Sequence, residues 1–199
     1  KPANIIKSKP PYDYQDSHNY RPMHNNSVKA YKSIFLIGMM GAGKSSFGKY
    51  CSKELGYQFV DLDEELENRT GVKISEIFAK EGEEGFRRRE TALLREFIEK
   101  EGFIVATGGG VVTRDENREI LKNGNACVVH LTVSPRICFF RTRNSSRPLL
   151  QTENPMQTIE NLMQQRDPFY AEVRDFSLDT DKLSFNQMCK ELLKELGKE

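Results

Sequence analysis

The sequence predicts an α/β fold in which a parallel β-sheet forms the middle of three layers and helices cover both of its faces. Two observations predict it. Short runs that are nearly all apolar (SIFLI, YQFV, FIVAT, ACVVHLTV and FSLDT) alternate with segments of helical period, and strands apolar on both sides need crossover helices above and below them. The unusual loops Gly38–Ser45, Asp61–Glu65 and Gly108–Gly110 each follow one of the first three runs. Ligands of open parallel sheets lie beyond the carboxyl ends of the strands, so this convergence locates the expected site.

Taken in order, SIFLI from Ser33 is the first strand, and a glycine-rich turn leads from it into a helical pattern over Lys44 to Leu55. YQFV is the second strand and runs into the acidic DLDEE. Ile74, Ile77 and Phe78, then Phe86, Leu93, Leu94, Phe97 and Ile98 set a helical stripe from Ile74 to Lys100, which Gly82 and Gly85 are expected to break in two. FIVAT is the third strand, stopped by Gly108, Gly109 and Gly110, and a polar helix from Arg114 to Lys122 leads to ACVVHLTV, the fourth. Pro135 suits the first turn of a helix, where the N–H it lacks would have no partner, and that helix reaches about Arg143. The polar stretch RNSSRPLLQTENP precedes a helix expected to end near Arg166, then the strand FSLDT and a closing helix from Phe185 to Leu196.

Composition narrows the function. The chain has 199 residues, of which 37% are hydrophobic and 30% charged, values of a globular chain and not of a disordered one. Lys plus Arg (30) nearly cancels Asp plus Glu (29), so no global field favours nucleic acid and anions must be held by local clusters. The four cysteines, Cys51, Cys127, Cys138 and Cys189, form no CxxC pair and have no His at metal-ligand spacing; they read as reduced apolar fillers and point to a cytoplasmic setting. No apolar run approaches the ~18–20 residues of a membrane span. Residues 1–32, rich in Pro, Asn, Lys and Tyr, show neither helical nor strand period and are expected to be a flexible extension ahead of a domain over 33–199. A docking tail or the remnant of a targeting segment is the other reading of that stretch.

The strongest motif is Gly38-Met39-Met40-Gly41-Ala42-Gly43-Lys44-Ser45, which matches G-x-x-x-x-G-K-[ST] between a strand and a helix. Glycines let backbone N–H groups close around phosphate oxygens, and the helix start adds the positive end of its dipole. Lys44 neutralises the β- and γ-phosphates and the Ser45 hydroxyl can ligate Mg²⁺. The motif therefore predicts a nucleoside triphosphate, without choosing among hydrolase, switch and kinase.

Asp61 and Asp63 stand where the second strand ends, and residues two apart on an extended segment face the same side. One carboxylate could reach Mg²⁺ through water while the other orients an acceptor hydroxyl. Asp63, followed by Glu64 and Glu65, equally suits simple negative charge at a helix N-terminus. Three arginines, Arg87 in GFRRRE, Arg147 in SSRPLL and Arg166 in QQRDPFY, sit beside apolar or proline residues that would fix them. A carboxylate substrate calls for such guanidinium forks, and a phosphoryl group in transfer calls for a cation that arrives as the site closes. Arg147, within a polar loop, fits that lid role. Arg87 also reads as part of a charged helical face with Arg88 and Arg89.

The ordered set GMMGAGKSS, FVDLDEELENRTGVKISEIFAKEGEEGFRRRE, TGGGVV, RPLL and RDPFY resembles the shikimate kinase family from Ser33 to about Leu196. The resemblance implies a P-loop kinase of the nucleoside-monophosphate-kinase-like type, with a lid over about 142–156, that phosphorylates the 3-hydroxyl of shikimate with MgATP. It implies that Gly41, Ala42, Gly43, Lys44, Ser45 and Ser46 form the ATP loop, that Ser45 ligates Mg²⁺, and that Asp61 reaches the metal through water. Asp63 would hold the substrate hydroxyls, Arg87 and Arg166 the substrate carboxylate, and Gly109 would meet the substrate with its backbone. Arg147 resembles the lid arginine on the phosphates, and Arg141 the arginine that stacks on adenine. Lys44, Asp63 and Arg147 are thus the expected catalytic residues, in a monomer that needs neither nucleic acid nor membrane. The rival expectations are a P-loop kinase of another hydroxy acid such as gluconate, a nucleotide kinase, and an ATP-binding relative that has lost transfer.

Overall fold

The computed structural model describes residues 33–144 and 148–197. Five strands, β1 (Ser33–Ile37), β2 (Gln58–Asp61), β3 (Phe103–Ala106), β4 (Ala126–Thr132) and β5 (Phe176–Asp179), pair in parallel in the order β2-β3-β1-β4-β5. Among the described residues seven α-helices connect and close them: α1 (Lys44–Leu55), α2 (Leu62–Thr70), α3 (Ile74–Ile98), α4 (Asp115–Asn123), α5 (Pro135–Thr142), α6 (Pro155–Val173) and α7 (Phe185–Glu195). Residues 1–32, expected to be an extension, lie outside the described residues, as does the expected lid arginine Arg147.

The sheet order follows from burial. All five residues of β1 are buried, so β1 belongs at the centre, whereas Gln58 of β2 and Ser177 of β5 are exposed and mark the edges. Side chains alternate across the sheet. Phe35, Val105 and Val128 therefore face α3, α4 and α6, where they meet Phe97, Leu121 and Ile159. Ile34, Leu36, Ile104, Cys127 and Val129 face the opposite layer, meeting Phe47 and Cys51 of α1 and Met188, Cys189 and Leu192 of α7. All four cysteines are buried and stand outside any disulfide, as fillers should. Among the described residues no helix is long and apolar enough to cross a membrane.

Three local expectations need correction. The glycine break in α3 falls at Gly82 alone, whose φ of 69° and ψ of −175° are non-helical; Gly85 stays within the helix, buried against Glu81. Helix α6 does not end near Arg166 but runs through Pro168 to Val173. An interior proline costs ~3 kcal/mol, yet continuing the helix buries Tyr170 and Val173, each worth about 1.5–3 kcal/mol, and packing prevails. Finally, Asp63 is not on an extended segment, because α2 starts at Leu62.

Candidate active site

The carboxyl end of β1 opens into the Gly38–Ser45 loop, and α1 starts at Lys44 with Gly43 before it. Gly43 has φ of 88°, and among the described residues nothing lies within 4 Å of the place a Cβ would occupy. Gly41 has φ of 74°, and a Cβ there would come within 2.9 Å of Thr142 Cγ2 and 3.2 Å of the Cys138 carbonyl oxygen; α5 thus packs on the loop from outside. Lys44 Nζ donates to the carbonyls of Gly38 (2.7 Å) and Met39 (2.9 Å), which holds its charge over the loop. Ala42 is buried, while Ser46 is exposed in the first turn of α1. Arg141, in the last turn of α5, donates to the carbonyls of Gly41 (3.1 Å) and Thr180 (3.0 Å) and to the Thr180 hydroxyl (3.1 Å), joining the loop to the turn after β5.

Asp61 ends β2 and caps α2. Its Oδ1 accepts from the backbone N–H of Asp63 at 3.0 Å, and its Oδ2 accepts from the Ser45 hydroxyl at 2.5 Å. The cap explains why Asp63 reaches the site: it lies in the first turn of α2 and not on an alternating strand. Its carboxylate oxygens lie 3.3 and 3.7 Å from where a Cβ on Gly108 would stand. Hydroxyl beside carboxylate is a hard oxygen donor set, and among the described residues no group of three or more His, Cys, Asp or Glu could hold a metal by itself. That combination fits Mg²⁺, which takes one or two protein oxygens and leaves its other positions to water and phosphate.

The Gly108–Gly110 loop following β3 is surrounded by charge. Glu90 Oε1 lies 2.7 Å from the place of a Cβ on Gly108, on the same glycine that faces Asp63. Glu90 is 2% exposed, and its Oε2 accepts from Arg87 Nη1 at 2.8 Å while Oε1 has no hydrogen-bond partner among the described residues. Burial pushes the Glu90 carboxyl above the usual carboxylate range against the opposing pull of Arg87. Burial also works against the charge of Arg87, but Glu90 and Glu83 outweigh it and raise that guanidinium. A Cβ on Gly110 would overlap the Arg87 guanidinium. Arg166 is 7% exposed on α6, its Nη1 3.6 Å from where a Cβ on Gly109 would be. That Cβ would also stand 3.4 Å from both the Gly38 carbonyl oxygen and the Met40 nitrogen, so the loops after β1 and β3 lie back to back.

Lys44, Ser45, Asp61, Asp63, Arg87, Gly109 and Arg166 therefore gather beyond the carboxyl ends of β1, β2 and β3, whereas Arg147 lies outside the described residues. Sequence reasoning missed three neighbours. Glu90 carried a signal, since it follows Arg87 by three residues and so shares its helical face. Tyr170 follows Arg166 by four, and its hydroxyl donates to the Gly109 carbonyl at 2.5 Å. His130, 6% exposed under the Gly38 turn, stacks on Tyr170 with ring centroids 4.6 Å apart. Its burial, with Arg174 and Lys44 nearby, pushes its pKa down to about 4. Nothing in ACVVHLTV signals that placement.

A parallel sheet of this order, with a phosphate-binding loop on its central strand, is a P-loop nucleotide-binding fold, and its family relatives make the chain an ATP-dependent phosphotransferase with a hydroxyl acceptor. The shikimate kinase family model matches residues 40–197. A shikimate kinase from Cupriavidus pinatubonensis is 48% identical over 165 residues, 82% of this chain and 85% of that one. Another from Legionella pneumophila is 47% identical over 171 residues, 85% and 97% of the two chains. Among solved structures, the shikimate kinase from Acinetobacter baumannii in complex with shikimate matches with a TM-score of 0.78 and 40% identity, over 83% of this chain and 93% of that one. The chain belongs to the shikimate kinase family.

Proposed function

We propose that this chain transfers the γ-phosphate of ATP to the 3-hydroxyl of shikimate, giving shikimate 3-phosphate and ADP in the route to chorismate and the aromatic amino acids. The observation that carries the reading is the back-to-back packing of two loops. Gly109 abuts the Gly38 carbonyl that Lys44 holds, so a phosphate on one loop and an acid on the other are near neighbours.

The loop from Gly41 to Ser46 binds the triphosphate, with Lys44 released from the Gly38 and Met39 carbonyls to the phosphate oxygens. Ser45, with Asp61 through water, would hold Mg²⁺, which would supply neutralisation of the phosphate charge. Arg87, steadied by Glu90, and Arg166 clamp the substrate carboxylate with planar forks. Asp63, at the N-terminus of α2, holds the acceptor hydroxyl and takes its proton as the bond to phosphorus forms. Arg147 reaches the phosphates as the lid closes, and Arg141 flanks the adenine. Positioning and electrostatics supply most of the acceleration in such transfers. The chain acts as a monomer in the cytoplasm, in keeping with its four reduced thiols.

A coupled ADP-release assay across shikimate, gluconate and nucleoside monophosphates tests the acceptor. Turnover confined to shikimate is expected; gluconate or a nucleotide as the better acceptor overturns the reading. With shikimate, Asp63→Asn and Arg87→Ala are expected to lose most activity, and near-normal rates in both would refute their roles.

A further inference from the structure

We infer that Tyr170 is a positioning residue for the acceptor, fixing the peptide between Gly109 and Gly110 through its hydroxyl. This rests on the proposed shikimate site. The Tyr170 side chain is fully buried, and its hydroxyl donates to the Gly109 carbonyl at 2.5 Å. Burial raises its pKa above the ordinary phenol value despite the Arg166 guanidinium nearby, so the hydroxyl keeps its proton and remains a donor throughout the working pH range. The His130 ring, stacked at an interplanar angle of 27°, restricts where the phenol can lie.

The consequence for the loop is geometric. A peptide unit is planar and trans, so its C=O and N–H point in opposite directions. Pinning the Gly109 carbonyl onto α6 therefore directs the Gly110 N–H away from α6. Glycine has no side chain to restrict φ and ψ, and three in succession leave this loop freer than any other residues would. The carbonyls on either side are held from inside the loop, Gly108 by the Val111 N–H and Gly110 by the Thr113 N–H and hydroxyl, whereas the Gly109 carbonyl is held from α6. Because Tyr170 lies one helical turn beyond Arg166 on α6, the same helix face sets both the loop and one arm of the carboxylate clamp. Gly109 in turn lies against Gly38 and Met40, so the hydroxyl holds the acceptor loop in register with the triphosphate loop.

The test is Tyr170→Phe, which keeps the ring, its volume and its stack on His130 and removes the hydroxyl, with both its bond to the Gly109 carbonyl and the hydrogen bond it accepts from Arg166. Steady-state kinetics with each substrate varied, calorimetric titration with shikimate and a thermal melt are measured on wild type and variant. The expected result is a KM and Kd for shikimate raised roughly tenfold, with KM for ATP within about twofold and a melting midpoint within a few degrees of wild type. Unchanged shikimate constants overturn the inference. A midpoint so lowered that both KM values rise together assigns the hydroxyl to stability alone and overturns it as well. Wild-type protein that ignores shikimate but phosphorylates another acceptor sinks the proposed function instead, so the two failures are distinguishable.

Discussion

The Ser45 hydroxyl donates to Asp61 at 2.5 Å, across the gap between the start of α1 and the end of β2. The same carboxylate caps α2 through the N–H of Asp63. One side chain therefore couples the proposed metal position to the placement of the proposed base.

Ser45→Ala removes the hydroxyl and leaves Asp61 free to keep its cap. kcat is expected to fall by roughly tenfold or more, a barrier increase of at least ~1.4 kcal/mol, and half-maximal activity should need more Mg²⁺. A magnesium titration of initial rates checks this; an unchanged titration curve would place the metal elsewhere.

Glu90→Gln keeps the shape of the buried side chain but withdraws the charge that holds Arg87 at 2.8 Å. A hydrogen bond to a charged group is worth about 1.5–3 kcal/mol, and Arg87 without it should lose its fixed aim. The KM for shikimate is expected to rise about tenfold, with KM for ATP little changed, in kinetics with each substrate varied in turn.

Gly110→Ala places a methyl group where the Arg87 guanidinium now lies. The guanidinium is the far end of a flexible side chain, so it should move while the fold stays. The expected signature is a higher KM for shikimate with a melting midpoint within a few degrees of wild type. A midpoint lowered by ten degrees or more would show that the backbone yields instead.

His130 carries a pH dependence of stability. Its pKa is about 4 in the folded chain against an ordinary 6.5, so between those values the unfolded chain binds the proton first. Stability is complete above pH 6.5 and is lost as pH falls toward 4. Between pH 7.5 and 5 the loss is on the order of 2 kcal/mol. Urea unfolding at the two pH values should show it in wild type, and His130→Phe should shrink the difference.

How much of this was legible in the sequence depended on range. β1, the Gly38–Ser45 loop and α1 were readable because apolar run, glycines, lysine and helical period are all local signals. Asp63 comes to lie beside Gly108 by a route other than the one expected, since alternation along a strand does not apply once Asp61 caps a helix. Helix α6 passes its expected end near Arg166, and the local stop signal of Pro168, because burial of Tyr170 and Val173 is supplied only by the packed molecule. Glu90, within GFRRRE, looks like one more charge on a solvated helix face until α3 is laid against the Gly108 turn. Burial is a property of the assembled layers, and no spacing rule contains it.

The central place of β1, with β3 as its immediate partner, gives heating a particular outcome. The two loops that must meet are anchored on strands about 4.8 Å apart, a spacing set by backbone hydrogen bonds and not by side-chain fit. Warming can loosen the loops, but it cannot draw their anchor points apart while the ladder between β1 and β3 survives. Catalytic competence and the cooperative integrity of the sheet are therefore expected to disappear at one temperature.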